Sequence, residues 1–268
     1  MTRTTVPARP ARTTRTARTA RTVLVTGVVV ALTATAGACA SAGDDEHPDH
    51  RSFALRGDTL TVDSDDSALE IVAADTHEKG RVEVTRWFDG SVALGKDPEV
   101  SWSMTDDRLV LRVSCSGVVA DCAAKHRIEV PRGVSVEVEE DDGSVRARGF
   151  RDALSIRTAD GSVRVTDSSG PLDLRSDDGS VRAEVDSRRV SARTKDGSVR
   201  LDLGAVPDRV EAVSDDGSVT VALPRATYRV TARTEDGAVD VSVPRDDSSA
   251  HVVSARTQDG KVTVRNVN

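Results

Sequence analysis

Aromatic side chains are almost missing from this chain: two Trp, one Tyr and three Phe among 268 residues. A core of large rings is therefore excluded, and Val, Ala and Leu have to fill whatever interior the protein has. Small and β-branched side chains suit the thin space between two β-sheets packed about 10 Å apart. Cysteine is scarce too, with only Cys39, Cys115 and Cys122, and none is paired at the close spacing of a zinc knuckle. The five histidines, His47, His50, His77, His126 and His251, show no metal-pair spacing on a shared element. There is no Gly-x-Ser-x-Gly elbow and no phosphate-binding glycine loop. The longest uncharged apolar stretch, Val23 to Ala38, is short for a membrane span.

Acidic residues are absent from the first 38 positions, which hold Arg3, Arg9, Arg12, Arg15, Arg18 and Arg21. The whole chain carries a net charge of −7, so the part after these six arginines carries −13. Such a body repels nucleic acid phosphates, which argues against a nucleic-acid partner. The basic arm followed by the apolar stretch reads instead as an export signal over residues 1–38. Its end, Thr35-Ala36-Gly37-Ala38-Cys39, resembles the lipobox of bacterial lipoproteins, although Ala36 stands where that motif usually has Leu. The resemblance implies lipidation of Cys39 and an anchor on the outer face of the cell membrane. The other readings are an ordinary cleaved signal peptide or an uncleaved anchor. All three carry the rest of the chain out of the cytoplasm.

In an oxidising compartment Cys115 and Cys122 are free to form a disulfide, and closing so small a loop contributes roughly 2–3 kcal/mol. The rival is a metal site of Cys115, Cys122 and His126, which lacks a fourth ligand. Residues 39–52 are small, polar and acidic at first and read as a flexible tether, with His47 and His50 solvated.

What the chain has in abundance is a repeat. Asp142-Gly143, Asp160-Gly161, Asp178-Gly179, Asp196-Gly197, Asp216-Gly217, Asp236-Gly237 and Asp259-Gly260 recur with glycine steps of 18, 18, 18, 20, 20 and 23 residues. Around each pair apolar residues alternate with polar ones, as in Leu154, Ile156, Val163 and Val165. That period of two means strands with one buried face. Gly accepts the positive φ of a tight turn, which leads to the expectation that Gly179 adopts it. A run of antiparallel hairpins and a β-solenoid both use such turns. The near-constant length favours the solenoid, as do Arg146, Arg164, Arg182 and Arg200 recurring at one outward place and Arg157, Arg175 and Arg193 at another. The expected fold is all-β: a two-sheet, β-helix-like stack of 18–20-residue coils over 134–268. Residues 53–133 are expected to form an irregular N-terminal β cap or opening coils, with Trp87 and Trp102 buried there as core residues; the rival reading is a separate binding module with Trp87 or Trp102 as a stacking platform for sugar.

The pattern Thr-x-Asp-Gly-x-Val every 18 to 20 residues, after Ile128-Glu129-Val130-Pro131-Arg132-Gly133, resembles an uncharacterised bacterial "putative adhesin" β-strand-repeat family. Leu223-Pro224 and Val243-Pro244 end strands as that family's repeats do. The resemblance covers about residues 53–268. It implies a β-solenoid and a surface location, and it brings no catalytic or ligand residues. An Asp repeated seven times serves the backbone more naturally than a single active site, so no catalytic residue, cofactor or metal ligand is assigned. Calcium bridging of the Asp column is the competing reading of those turns. The expected function is that of a non-enzymatic binding or scaffold module at the envelope. Its partner is an envelope polymer or another surface protein. The alternatives are a β-solenoid carbohydrate-active enzyme and a purely structural envelope-stress protein.

Overall fold

The computed structural model describes residues 47–75 and 80–267. The basic arm, Cys39 and His77 lie outside the described residues. The described chain is β-structure from end to end. Its N-terminal third contains β1 (Asp49–Ala54), β2 (Thr59–Ser64), β3 (Ala68–Ala74), β4 (Arg81–Gly95), β5 (Glu99–Thr105), β6 (Arg108–Ser114) and β7 (Gly117–Pro131). The next strands are β8 (Ser135–Glu140), β9 (Val145–Arg148), β10 (Leu154–Asp160), β11 (Val163–Thr166), β12 (Leu172–Asp178), β13 (Val181–Val185), β14 (Arg189–Asp196) and β15 (Val199–Leu203). The chain ends with β16 (Arg209–Ser214), β17 (Val219–Leu223), β18 (Arg229–Arg233), β19 (Val239–Val241), β20 (Val252–Arg256) and β21 (Val262–Asn266).

From β7 onward successive strands alternate between two sheets, so each coil there gives one strand to each. One sheet runs β1-β4-β7-β3-β9-β11-β13-β15-β17-β21-β19; the other runs β18-β20-β16-β14-β12-β10-β8-β2-β6-β5. Neighbouring coils pair in parallel with like on like: Leu154 beside Leu172, Arg157 beside Arg175, Arg164 beside Arg182. This is the β-solenoid that the repeat length and the arginine columns indicated. Alternation places Leu154, Ile156, Leu172, Leu174, Val190, Ala192, Val210 and Ala212 of one sheet against Val163, Val165, Val181, Ala183, Val199 and Leu201 of the other, all buried. The interior is a Val/Leu/Ala layer, as the shortage of rings required.

Both ends depart from sequence order. The coil β2–β3 lies between β6–β7 and β8–β9, and the coil β20–β21 lies between β16–β17 and β18–β19. The last Asp-Gly turn in sequence is thus an inner turn of the stack, which corrects the expectation from chain order that Gly260 has a neighbour on one side only. Strand structure also starts at Asp49, inside the segment 39–52 read as tether, because Asp49–Ala54 pairs antiparallel with Arg81–Arg86.

Strands β4 to β7 make one long hairpin. Its pairing runs from Thr105 opposite Arg108, through Glu99 opposite Ser114, to Gly95 opposite Gly117 and on to Glu83 opposite Glu129. The hairpin bends between the two sheets at Gly95–Glu99 and Ser114–Gly117. Across this elbow the sulfurs of Cys115 and Cys122 lie at bonding distance, 1.99 Å. Expected as core residues, the two tryptophans are only partly buried. The Trp102 ring packs on the core edge beneath the Arg86 guanidinium, 4.4 Å from its centroid, and Trp87 carries Lys125 Nζ at 5.1 Å. Trp102 covers the end of a core too thin to enclose it, whereas Trp87 lies on the face of β4 opposite to Val82 and Val84.

Of the Asp-Gly glycines only Gly237 (φ +159°) and Gly260 (φ +150°) have the expected positive φ; the others are needed for a different reason. Gly179 does not have a positive φ. A Cβ placed on it would stand 2.2 Å from the carbonyl oxygen of Gly161, and the same approach recurs from Gly161 to Gly143 (2.1 Å), Gly197 to Gly179 (2.4 Å) and Gly217 to Gly197 (2.0 Å). The coils stack so closely at this corner that no side chain fits between successive turns. By contrast Gly133 has φ +85° and open space around its Cβ position. Gly179→Ala is therefore expected to destabilise at or beyond the top of the 1–3 kcal/mol range typical of overpacking. Gly260→Ala should cost at least as much, because its Cβ would lie 2.5 Å from the Gly217 oxygen and its φ of +150° adds backbone strain. Gly133→Ala should cost only about 1–2 kcal/mol, the left-handed backbone penalty. Urea melts of the three variants check this ranking.

Candidate functional site: the turn edge and the arginine faces

Each coil crosses between sheets at the Asp-Gly corner, and a hydroxyl just before the corner ties one coil to the next. Ser176 Oγ donates to the Gly161 carbonyl (2.8 Å), Thr194 Oγ1 to Gly179 (2.7 Å), Ser214 Oγ to Gly197 (2.7 Å) and Thr257 Oγ1 to Gly217 (2.7 Å). Thr158 makes the same bond to Gly143 at 3.3 Å, and Thr234 to Gly260 at 3.0 Å. The glycine thus admits a close neighbour and supplies the acceptor that holds it. The Asp of each pair faces solvent: Asp142, Asp160, Asp178, Asp196, Asp216, Asp236 and Asp259 are all exposed. Among the described residues no three His, Cys, Asp or Glu side chains converge as a metal cage. The turn carboxylates therefore give no geometric support to calcium bridging.

Glu140 interrupts the hydroxyl ladder. It stands in register with Thr158 on one side and Ser64 on the other, and is 3% exposed. Its Oε1 accepts the Ser67 amide at 3.2 Å, while Oε2 is buried without a partner. Burial raises its pKa to about 7, outweighing the lowering by Ser64 and the Ser67 amide. Buried acids with raised pKa values occur in active sites. Here the group fills a structural place in a ladder of hydroxyls and is closed off from solvent.

The metal reading of Cys115, Cys122 and His126 fails on position. The two sulfurs lie at bonding distance from each other, 1.99 Å, and His126 is fully buried in the core with its ring 6.4 Å from that of Trp102. Burial first, then the nearby Arg86 charge, lowers the His126 pKa to about 4, so the ring is neutral at ordinary pH.

The outward faces of the sheets are flat and polar, and register turns the repeated arginines into columns. Arg146, Arg164, Arg182 and Arg200 stack on one sheet, and Arg157, Arg175 and Arg193 on the other. Several are neutralised within the face: Arg182 by Glu184 (3.1 Å), Arg200 by Asp202 (2.9 Å), Arg175 by Asp173 (3.0 Å) and Arg193 by Glu211 (2.8 Å). Arg146, Arg148 and Arg164 make no ion pair among the described residues and, with Glu70 and Thr166, line a shallow concavity of about 140 Å³; Glu70 stands opposite Arg146 in register but bridges to Lys125 and Arg127. A guanidinium presents a planar fork of donors that matches a carboxylate or phosphate. The columns were legible from their spacing. That Glu70 lies beside Arg146 was not, because it depends on the coil β2–β3 stacking next to β8–β9.

Glu140 yields a pH dependence whose sign is fixed. Between pH 4.5, its ordinary pKa, and about 7, the folded chain keeps a proton that the unfolded chain has released. Stability contributed by the neutral carboxyl is therefore present at low pH and declines as pH rises through this window. The shift corresponds to at most about 3 kcal/mol. His126 acts oppositely, losing stability as pH falls from 6.5 toward about 4. The stability difference between Glu140→Gln and the wild type should consequently grow in favour of the variant between pH 5 and pH 8. Denaturant melts at both pH values give that difference, with His126 common to both proteins.

Comparison with known proteins follows this architecture. Residues 49–267 match the model of the family described as Toastrack DUF4097. A solved structure described as a putative adhesin from Bacteroides fragilis NCTC 9343 is 15% identical, at a TM-score of 0.51. The match covers 83% of this chain and 98% of that one. Another, described as a putative cell adhesion protein from Clostridium sporogenes ATCC 15579, is 13% identical at a TM-score of 0.37, with 82% of this chain and 100% of that one covered. No curated protein matches the chain. The family match spans the whole two-sheet stack from β1 to β21, and the protein belongs to the Toastrack DUF4097 family.

Proposed function

We propose that this protein is an exported lipoprotein, anchored through Cys39 on the outer face of the cell membrane, whose solenoid is a non-enzymatic binding or scaffold module. In this reading residues 1–38 are the signal, 39–48 the tether, 49–133 the opening part of the stack and 134–268 its regular coils. The Cys115–Cys122 disulfide belongs to the same oxidising location. The observation that carries the binding role is the flat arginine-columned face, where Arg146, Arg148 and Arg164 gather at one concavity with a single acid, Glu70, which is itself paired with Lys125 and Arg127. An extended repeat surface binds by many shallow contacts rather than through one deep cavity. Envelope polymers and the acidic surfaces of other envelope proteins are the partners such a face suits. The Bacteroides structure described as a putative adhesin shares a fold with this chain, and that description is consistent with such a use.

Two experiments test the proposal. Cys39→Ala should move the protein from the membrane fraction to the medium; retention in the membrane would replace the lipid anchor by an uncleaved span. For the face, purified wall fragments and acidic polysaccharides should bind the wild type saturably and in a salt-sensitive manner. Replacing Arg146, Arg148 and Arg164 by Ser should weaken binding about tenfold or more while leaving the melt unchanged, since these side chains are surface groups. Turnover of a polysaccharide would favour the enzyme reading instead, and binding unaffected by the triple variant would remove this face from the proposal.

A further inference from the structure

The elbow of the β4–β7 hairpin is the most anomalous part of the surface. Where β2–β3 turns its corner with three residues, 65–67, the neighbouring coil spends thirteen, 112–124, because Leu111 is in register with Ser64 and Lys125 with Ala68. The surplus, together with Trp87–Gly95, builds a two-stranded ribbon that overhangs the stack. Strand β1 pairs with β4 only as far as Arg86, and β3 pairs with β7 only from Lys125. At the end of the ribbon stand the three most exposed large apolar side chains of the described protein: Leu94 at 84%, Val118 at 78% and Val119 at 65%. Residues 90–95 and 113–120 carry no charge. The disulfide between Cys115 and Cys122 ties this end together.

We propose that this elbow rests on the bilayer and inserts Leu94, Val118 and Val119 among the lipids beside the anchor, so that the protein is both tethered and seated. The proposal deepens the lipid-anchor reading and rests on it. The direction of the chain supports lipid as the occupant. Because β1 is antiparallel to β4, the chain before Asp49 leaves toward the elbow, the way β4 runs from Arg86 to Gly95. The nine residues from Arg86 to Gly95 span about 30 Å as a strand. The ten residues from Cys39 to Asp49 reach at most about 35 Å. A lipid on Cys39 and the elbow tip can therefore meet one plane. The ribbon's unpaired edges limit the depth, because backbone groups without partners are costly in hydrocarbon. Asp89, Lys96, Asp97 and Asp121 flank the uncharged tip and would remain among the headgroups. Contact is then shallow, confined to the three side chains, and does not require anionic lipid.

Leu94→Trp and Val118→Trp test the contact in the full-length lipidated protein on zwitterionic phosphatidylcholine vesicles. The added Trp should emit at shorter wavelength and be quenched at least twofold by lipids brominated near the headgroup. The wild type, with Trp87 and Trp102 alone, should be quenched much less. Water-like emission without quenching overturns the proposal. So does a blue shift without bromine quenching, which would mean that a second copy or another protein covers the tip. Sedimentation of Cys39→Ala with the same vesicles separates this idea from the anchor. A wild type that pellets while the Leu94→Trp and Val118→Trp variants are not quenched keeps the anchor and removes the seat. A wild type that pellets no better than Cys39→Ala, while those two variants are quenched at high lipid, removes the anchor and keeps the tip contact. Absence of both removes both.

Discussion

One contact repeated along one edge governs this fold: the backbone of each Asp-Gly corner lies against the backbone of the previous corner with no room for a Cβ. That approach sets the register of both sheets, because a coil shifted by one residue would bring Ser or Asp into the gap. Register in turn decides everything that is stacked, from the Val and Leu layer inside to the arginine columns outside. The hydroxyl ladder fastens the same corner, so the steric demand and the hydrogen bond act at a single place in every regular coil. An interior of small aliphatic side chains offers little shape to lock neighbouring coils against sliding, and the corner supplies that lock.

Much of this was legible in the sequence. The alternation of Leu154, Ile156, Val163 and Val165 and the near-constant glycine step define strands, coil length and stacking, since those properties are local and repeated. The role of the glycine was misjudged, because sequence cannot distinguish a residue that needs positive φ from one that needs an absent Cβ; both read as Gly after Asp. Spatial order at the ends was illegible for a different reason. Nothing in the strand β20 separates it from β18 by pattern, and only three-dimensional fit decides which lies next to β16. Glu140 could have been noticed: it occupies the place before Asp-Asp-Gly where the other copies carry Ser or Thr. The elbow left a trace as well, an uncharged stretch around two cysteines where alternation weakens.

Electrostatics in this molecule divides by depth. On the faces, arginines and acids two residues apart pair off, and such exposed pairs contribute little to stability. Inside, Glu140 and His126 are held neutral by burial, and each resists ionisation in the opposite direction of pH. The end of the stack at Arg86 combines both regimes. Its guanidinium lies over the Trp102 ring, donates to the Val100 carbonyl at 3.0 Å and reaches Asp49 at 2.6 Å, so β1, β4 and β5 are tied by one side chain. This end is closed by aromatic and charged groups rather than by a further coil.

The placement of β20–β21 between β16–β17 and β18–β19 has a consequence for how the molecule is born. A chain emerging from its N-terminus makes β18 and β19 before the strands that must separate them from β17. Coil-by-coil growth during synthesis would dock β18–β19 directly on β16–β17, whose open edges accept it, and the final strands would then have to displace it. The native order is reached without that detour if the chain remains unfolded until its last residue is available. Passage through a membrane as an extended polypeptide, with release on the far side before folding, meets that condition, so this topology is one that suits delayed folding better than folding in step with translation.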